Sequence, residues 1–320
     1  MAGQGNRIRI ARLIGLFASV SLAVAAGAGW WWYERLTEAR VLPHPSESTS
    51  AELGASADAR SDPSAAPHAL DPVLERARAA LVHHRAEHHN YTATMIKRER
   101  IHGKLAPENR MQLKLRYRPA PDTNPTAPSS PLGPSRWMDV YLRFSEPKSL
   151  AGREAIWRQG ANDDRLIVHE AGLLNLTSVN LAPTSGLAMM GNKYPITDIG
   201  IEKLLEKLIE RGLKDRALGD CTVKVTRGVQ CEGRECERIE ILHPEPTIER
   251  DGQTIAFDFY RAVVDIDIEH EIPIHYAAYL WPSDGAAPPL DEEYTYKDLR
   301  LNAELSEDDF DPNNADYDYP

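Results

Sequence analysis

The chain has 320 residues, enough for one sizeable domain with appendages or for two small domains. Apolar residues make up 42% of it, which supports a packed core. The formal net charge of −11 and the scattered basic residues argue against a nucleic-acid-binding face.

The first segment, residues 1–12, carries Arg7, Arg9 and Arg12 and no acidic residue. An apolar run from Leu13 to Gly29 follows and ends in Trp30-Trp31-Trp32-Tyr33. Residues 13–33 are long enough to cross a hydrocarbon core as a helix at about 1.5 Å per residue. Basic residues precede the run and Glu34 follows it. The positive-inside rule therefore predicts a single-pass inner-membrane anchor, with residues 1–12 cytoplasmic and the remainder periplasmic. The aromatic quartet suits a headgroup belt. A cleaved signal peptide, with Ala23-Val24-Ala25 as its A-x-A site, is the alternative. Residues 34–70, rich in Pro, Ser, Ala and acidic groups and lacking any hydrophobic period, read as a disordered linker. Residues 71–320 read as the exported domain.

Asp71-Pro72 predicts a helix start, Asp at the N-cap and Pro in the first turn. Val73, Leu74, Ala77, Leu81 and Val82 continue it at helical spacing to about His89. At its end stands His84-Arg85-Ala86-Glu87-His88, the H-x-x-E-H order of the inverzincin peptidases. His84 and His88 one turn apart could bind Zn²⁺, with Glu87 activating a water. The competing reading is a solvated helix end, where histidine suits the helix dipole. No third ligand stands in a recognisable element, and the prediction is no metal and no cofactor.

Beyond the helix the period changes from 3.6 to 2. Met111, Leu113, Leu115 and Tyr117 alternate with charged and polar residues over Arg110–Arg118. Met138, Val140, Leu142 and Phe144 alternate over Trp137–Phe144. These apolar faces are core or the wall of an apolar cavity. Tyr91–Ile101, Glu154–Arg158, Arg165–His169 and Leu174–Leu181 are further strands, and Pro119–Ser135 is a loop. Leu187–Gly191 is a short apolar piece bracketed by Gly186 and Gly191, and its Met189 and Met190 suit a mobile lid. Thr197 then caps a second helix with a stripe of Ile201, Leu204, Leu205, Leu208 and Ile209, which Gly212 stops. Thr222–Thr226, Glu237–Leu242, Thr254–Ile268, Ile274–Trp281 and Glu293–Asn302 complete the strands. Three cysteines in an exported chain permit one disulfide, either Cys221–Cys236 across a hairpin or Cys231–Cys236. The acidic tail from Leu305 reads as a solvated end with Phe310 and Tyr317 as anchors.

About ten short-linked strands with a leading helix and a helical insertion define an α+β fold. Its antiparallel sheet is curved, with helices covering the concave face. Four blocks stand out: YTATMIKRERIHGKL (Tyr91–Leu105), VYLRFSEPKSLAGREAIWRQGANDDRLIVHEAG (Val140–Gly172), LAMMGNKYPITDIGIEKLLEKLIERG (Leu187–Gly212) and YTYKDLRLNAELSEDDFDPNNADY (Tyr294–Tyr317). In order and spacing they resemble a bacterial family described only as a domain of unknown function, DUF1571. Phe144, Pro147, Leu150 and Gly152 also fit an F-x-x-P-x-x-L-x-G pattern similar to that of LolA/LolB-type periplasmic lipoprotein carriers. That resemblance implies a half-barrel and noncatalytic binding of a lipid or lipoprotein acyl chain, and it brings no catalytic residue. A membrane tether and the proline-rich insertion depart from that type, because a tethered protein cannot shuttle cargo. The expected function is therefore envelope lipid binding, against two alternatives: a zinc hydrolase using the histidine string, or a structural or interaction protein of the envelope.

Overall fold

The computed structural model describes residues 67–121, 136–172, 176–219, 221–250, 252–283 and 285–320. The expected anchor at 13–33, nearly all of the linker and most of the proline-rich loop lie outside the described residues. Among the described residues no helix is long and apolar enough to cross a membrane. Residues 66–320 form a compact unit. The fold begins slightly before Asp71: Leu70 is fully buried, and the His68 amide donates to the Asp71 carboxylate at 2.8 Å.

Among the described residues two α-helices are present, α1 (Asp71–Glu87) and α2 (Ile201–Leu218). The strands of the first half are β1 (Asn90–Ile101), β2 (Lys104–Leu105), β3 (Asn109–Pro119), β4 (Arg136–Glu146), β5 (Glu154–Arg158), β6 (Leu166–His169) and β7 (Val179–Leu181). Those of the second half are β8 (Thr222–Cys231), β9 (Arg234–Leu242), β10 (Thr247–Arg250), β11 (Gln253–Ala256), β12 (Arg261–Asp267), β13 (Ile272–Tyr279) and β14 (Leu290–Leu301). The main sheet runs β7-β6-β5-β4-β3-β1-β14-β13-β12-β9-β8, with β2 paired to β1, while β10 and β11 form a separate hairpin. Neighbouring strands pair antiparallel throughout, for example Met95 opposite Met111 and Met95 opposite Tyr296. The sheet is curved and does not close into a barrel. Its edges, β7 and β8, are consecutive in the chain, so the segment 182–221, with α2 inside it, runs from one edge to the other.

Alternation along β1 sends Tyr91, Ala93 and Met95 inward, and β3 does the same with Met111, Leu113 and Leu115. Against this face α1 packs Ala80 and Leu81, and α2 packs Ile201, Leu205 and Ile209. A second group, Phe259, Ala262, Val264, Tyr276 and Ala278, meets Leu204 and Leu208 of α2. Both helices therefore lie on the concave face, and burial of their apolar stripes holds them there.

The helix boundaries differ from expectation. Asp71 is the first helical residue, after Leu70. Thr197 sits in a short 3-10 turn, and the cap position of α2 belongs to Gly200 at φ +107. A Cβ there would fall 2.7 Å from Leu115 Cδ1 and 3.0 Å from the Tyr91 hydroxyl, so close packing demands glycine. Gly212 does not stop the helix, which runs on to Leu218 with Gly219 as its C-cap. Gly212 is buried where Leu74 of α1 crosses, and a Cβ would meet Leu74 Cδ2 at 2.8 Å.

The tail is not a solvated end. Phe310 is only 1% exposed and joins Tyr141 and Ile156 on the convex face, with Tyr317 and Tyr319 packed alongside. The Tyr317 ring stacks on Tyr141 at 4.1 Å, and Lys114 Nζ donates to Asp309 at 2.7 Å. The expected anchors Phe310 and Tyr317 are thus both seated.

Candidate ligand-binding cavity

A cavity of about 250 Å³ lies between the concave face and its cover. Met95 of β1, Met111 of β3, Leu142 and Phe144 of β4, Ala155 of β5, Val168 of β6 and Leu181 of β7 form the floor. Leu187, Ala188 and Met190 from the crossing segment and Leu204 and Leu208 of α2 form the cover. Period-2 alternation accounts for the floor, since each contributing strand offers every second side chain to it.

One end of this trough is polar. The alternation that puts Met95 inside also puts Lys97 and Glu99 inside, where they are 8% and 3% exposed. Lys97 Nζ donates to Glu99 Oε2 at 3.0 Å and to Asn192 Oδ1 at 2.7 Å. The Tyr294 hydroxyl donates to Glu99 Oε1 at 2.7 Å, and the Lys193 amide to Oε2 at 3.0 Å. Beside them Arg211 Nη1 donates to Glu292 Oε1 at 2.8 Å and to the Tyr276 hydroxyl at 2.6 Å. Arg211 Nη2 donates to the Tyr194 hydroxyl at 2.7 Å, which donates onward to Glu292 Oε2 at 2.9 Å. Lys193 Nζ bridges Asp291 at 2.5 Å and Glu292 at 2.9 Å.

Every carboxylate oxygen of Glu99 and Glu292 therefore accepts at least one bond, as buried charge requires. Burial opposes ionisation of Glu292, but the Arg211 and Lys193 cations outweigh it and hold its carboxyl below the ordinary value. Burial likewise opposes the Lys193 charge, yet Glu292 and Asp291 push it up to about 12. The network joins Asn192, Lys193 and Tyr194 of the cover to the sheet. That stretch is the clasp of the cavity.

Of the nine residues expected at the wall or lid, Met111, Leu142, Phe144 and Met190 line the cavity. Leu113, Leu115, Met138 and Val140 instead fill the core, against the helices and neighbouring strands, and lie outside the lining. Met189 is not in the lining; its amide donates to the Ser185 carbonyl at 2.9 Å within a run of turns. The inner-face charges Lys97, Glu99 and Glu292 were missed, although the alternation of β1 continued two and four residues past Met95 reaches the first two.

The histidine string does not assemble a hydrolytic site. His84 is fully buried, and its Nδ1 lies 3.1 Å from His88 Nδ1, so the two rings share a hydrogen bond with each other. Burial, followed by the nearby His88 and Arg136 charges, pushes His84 down to about 2. Burial and His83 push His88 down to about 4. Both rings are neutral packing groups, His84 against Tyr117 at 5.7 Å between centroids. Glu87 is exposed, whereas both rings are buried. Among the described residues no group of three or more His, Cys, Asp or Glu side chains is placed to hold a metal.

The Cys221–Cys236 disulfide is overturned by register. Cys236 opposes Val229, whereas Cys221 precedes Thr222, which opposes Leu242 at the far end of the hairpin. At about 3.3 Å per strand residue the two cysteines are roughly 20 Å apart, beyond any disulfide. Cys231 and Cys236 are diagonal neighbours near the turn and are not bonded to each other. Burial and the Asp265 charge push their thiols up to about 12 and about 11.

A curved half-open sheet with two helices across its concave face, enclosing an apolar hollow, defines a cavity-bearing half-barrel. Residues 88–319 match the family described as "Protein of unknown function (DUF1571)", and the chain belongs to that family. No curated protein matches the chain. Solved structures resemble it only distantly. A DUF1329 family protein from Desulfovibrio piger aligns at 11% identity and a TM-score of 0.35, covering 74% of this chain and 97% of that one. A putative outer membrane lipoprotein-sorting protein domain from Vibrio parahaemolyticus aligns at 15% identity and 0.33, covering 75% and 96%. A LolA superfamily protein from Nitrosomonas europaea aligns at 11% identity and 0.27, covering 77% and 98%.

Proposed function

We propose that the domain is a noncatalytic binding protein of the cell envelope that holds a hydrocarbon chain of a lipid or lipid-modified protein. The observation that carries this reading is the cavity itself, with an apolar floor from six strands under a cover clasped by ion pairs. Each methylene moved from water into it is worth about 0.8 kcal/mol. Met95, Met111 and Met190 suit a ligand of variable shape, since the thioether side chain adapts its packing. The basic leader and apolar run at 13–33 support a periplasmic placement on an inner-membrane tether. Tethering makes the protein a receptor or holder and not a shuttle.

The test is solvent extraction of the purified domain followed by mass spectrometry. Lipid or acylated peptide in near-stoichiometric amount is the expected result, reduced in an Ala155→Phe variant that fills the trough. A domain that carries none, and takes up none from added vesicles of phosphatidylethanolamine and phosphatidylglycerol, refutes the reading.

A further inference from the structure

The large apolar side chains left exposed are not spread evenly over the domain. Among the described residues four of the eight, Leu176, Val179, Leu187 and Met190, fall within residues 176–190. Leu176 is 84% exposed and Leu187 58%. Val179, Leu187 and Met190 also line the cavity. These three belong to its wall and to the outer surface at once, so they mark its mouth. Val179 lies on β7, an edge strand of the sheet, and Leu176 on the connection leading into it. Leu187 and Met190 face them from the cover.

Charge is missing from the same stretch. Residues 171–192 contain no Asp, Glu, Lys, Arg or His. At the chain's overall 27% of charged residues, about six would fall in a stretch of that length. Exposed apolar patches mark contacts with membranes or with proteins. Three observations favour a bilayer. β7 has three residues, too few to template an added peptide strand. A net charge of −11 opposes approach to an anionic lipid surface, and an uncharged face is where that opposition is least. With residues 13–33 as the anchor, residues 34–66 at no more than about 3.5 Å each keep the fold within roughly 110 Å of the bilayer.

Resting on the function proposed above, we infer that the mouth rimmed by Leu176, Val179, Leu187 and Met190 docks on the phospholipid bilayer that carries the anchor. The hydrocarbon chain passes from bilayer to trough along these side chains and stays out of water on the way. Each methylene that did cross water would slow the passage about fourfold.

The test floats the domain from residue 66 onward, a compact unit, on a density gradient with vesicles of phosphatidylethanolamine and phosphatidylglycerol. Uptake of N-phenyl-1-naphthylamine in solution reads the trough separately. The wild type should float. Leu176→Asp and Leu187→Asp should each lower the partition coefficient by about tenfold or more, the worth of one buried leucine. Their melting temperatures should match the wild type, because both sites are exposed. Val225→Asp, an exposed site on β8 at the opposite edge of the sheet, should float like the wild type. Raising NaCl from about 0.05 to about 0.5 M should change partition by less than about twofold, since no charge carries the contact. Leu176 lies outside the cavity lining, so Leu176→Asp should take up dye like the wild type. A domain that takes up dye but does not float, or that floats undiminished in both leucine variants, overturns the docking face and leaves the binding function standing. Self-association without flotation, abolished by Leu187→Asp, assigns the face to a second copy and overturns the bilayer. A domain with neither dye uptake nor extractable lipid overturns the binding function itself.

Discussion

His275 shows how a single side chain couples this fold to pH. Its Nδ1 lies 2.9 Å from Asp265 Oδ2 and its Nε2 lies 3.4 Å from Glu293. Burial works against its charge, but Asp265 and Glu293 prevail and push it up to about 9. Burial also works against the Asp265 charge, while Arg238 and His275 pull that carboxyl down to about 2. The raised histidine contributes stability in full below its ordinary 6.5, and that contribution fades as pH rises through about 9. The depressed aspartate contributes above its ordinary 3.8 and fades as pH falls toward 2. Stability from this cluster is therefore greatest between pH 4 and 6.5. His275→Gln should lower the melting temperature by about 2–4 °C at pH 6, the scale of a loss near 1 kcal/mol in a domain of this size. At pH 10 the difference should vanish, and equal losses at both pH values would contradict the assignment. None of this was visible in the sequence, where His275 is a lone histidine in a strand. Its partners come from β12 and β14, and register alone brings them together. The H-x-x-E-H string shows the converse: a recognisable pattern whose atoms the fold turns into core packing.

At the scale of elements, the second helix shows where local rules succeed and fail. Its stripe of Ile201, Leu205 and Ile209 was legible from spacing, and all three are buried. Its ends were not, because glycine carries two meanings. Gly212 looks like a stop, yet it is the point where α1 comes closest, and Gly219 ends the helix. Only the position of Leu74 decides between the two, and Leu74 lies far away in sequence. Gly212→Ala should be nearly neutral, since about 1 kcal/mol of helix propensity offsets a small displacement of the Leu74 tip. Gly212→Leu should cost roughly 1–3 kcal/mol by overpacking. Urea titration of both variants measures this, and Leu74→Ala should recover part of the loss in the Gly212→Leu background. Alternation made strands such as β3 (Asn109–Pro119) legible, whereas β5 (Glu154–Arg158) is buried on both faces and shows no period of two. One expected strand, Thr254–Ile268, divides into β11 and β12, with Phe257 and Phe259 buried in the link. Side-chain period cannot show such a break when the connecting residues are themselves apolar.

For the molecule as a whole, the sheet has two faces with different covers. The helices cover the concave face and leave a trough, whereas the C-terminal tail seals β4 and β5 on the convex face. Acidic composition concealed this role, because Phe310, Tyr317 and Tyr319 are sparse among carboxylates. Those carboxylates meet cations of the sheet, as in Arg116 to Glu307 at 2.8 Å and Arg143 to Asp318 at 2.9 Å. Phe310→Ala should destabilise the domain by roughly 3–5 kcal/mol, as for other buried aromatic truncations. A denaturation midpoint equal to wild type would mean that the tail is not seated in solution.

Strand order also has a consequence for biosynthesis. β1 emerges first among the strands and β14 last, yet they are partners at the middle of the sheet. A nascent chain must keep one rim of β1 unzipped until residues near Leu301 leave the ribosome, and the trough has only one flank until then. Exposed rims of this kind invite wrong partners, and such distant pairings are slow to form. Closure of the β1–β14 seam must therefore wait for the whole domain to be synthesised, so the sheet is completed last at its centre and not at an edge.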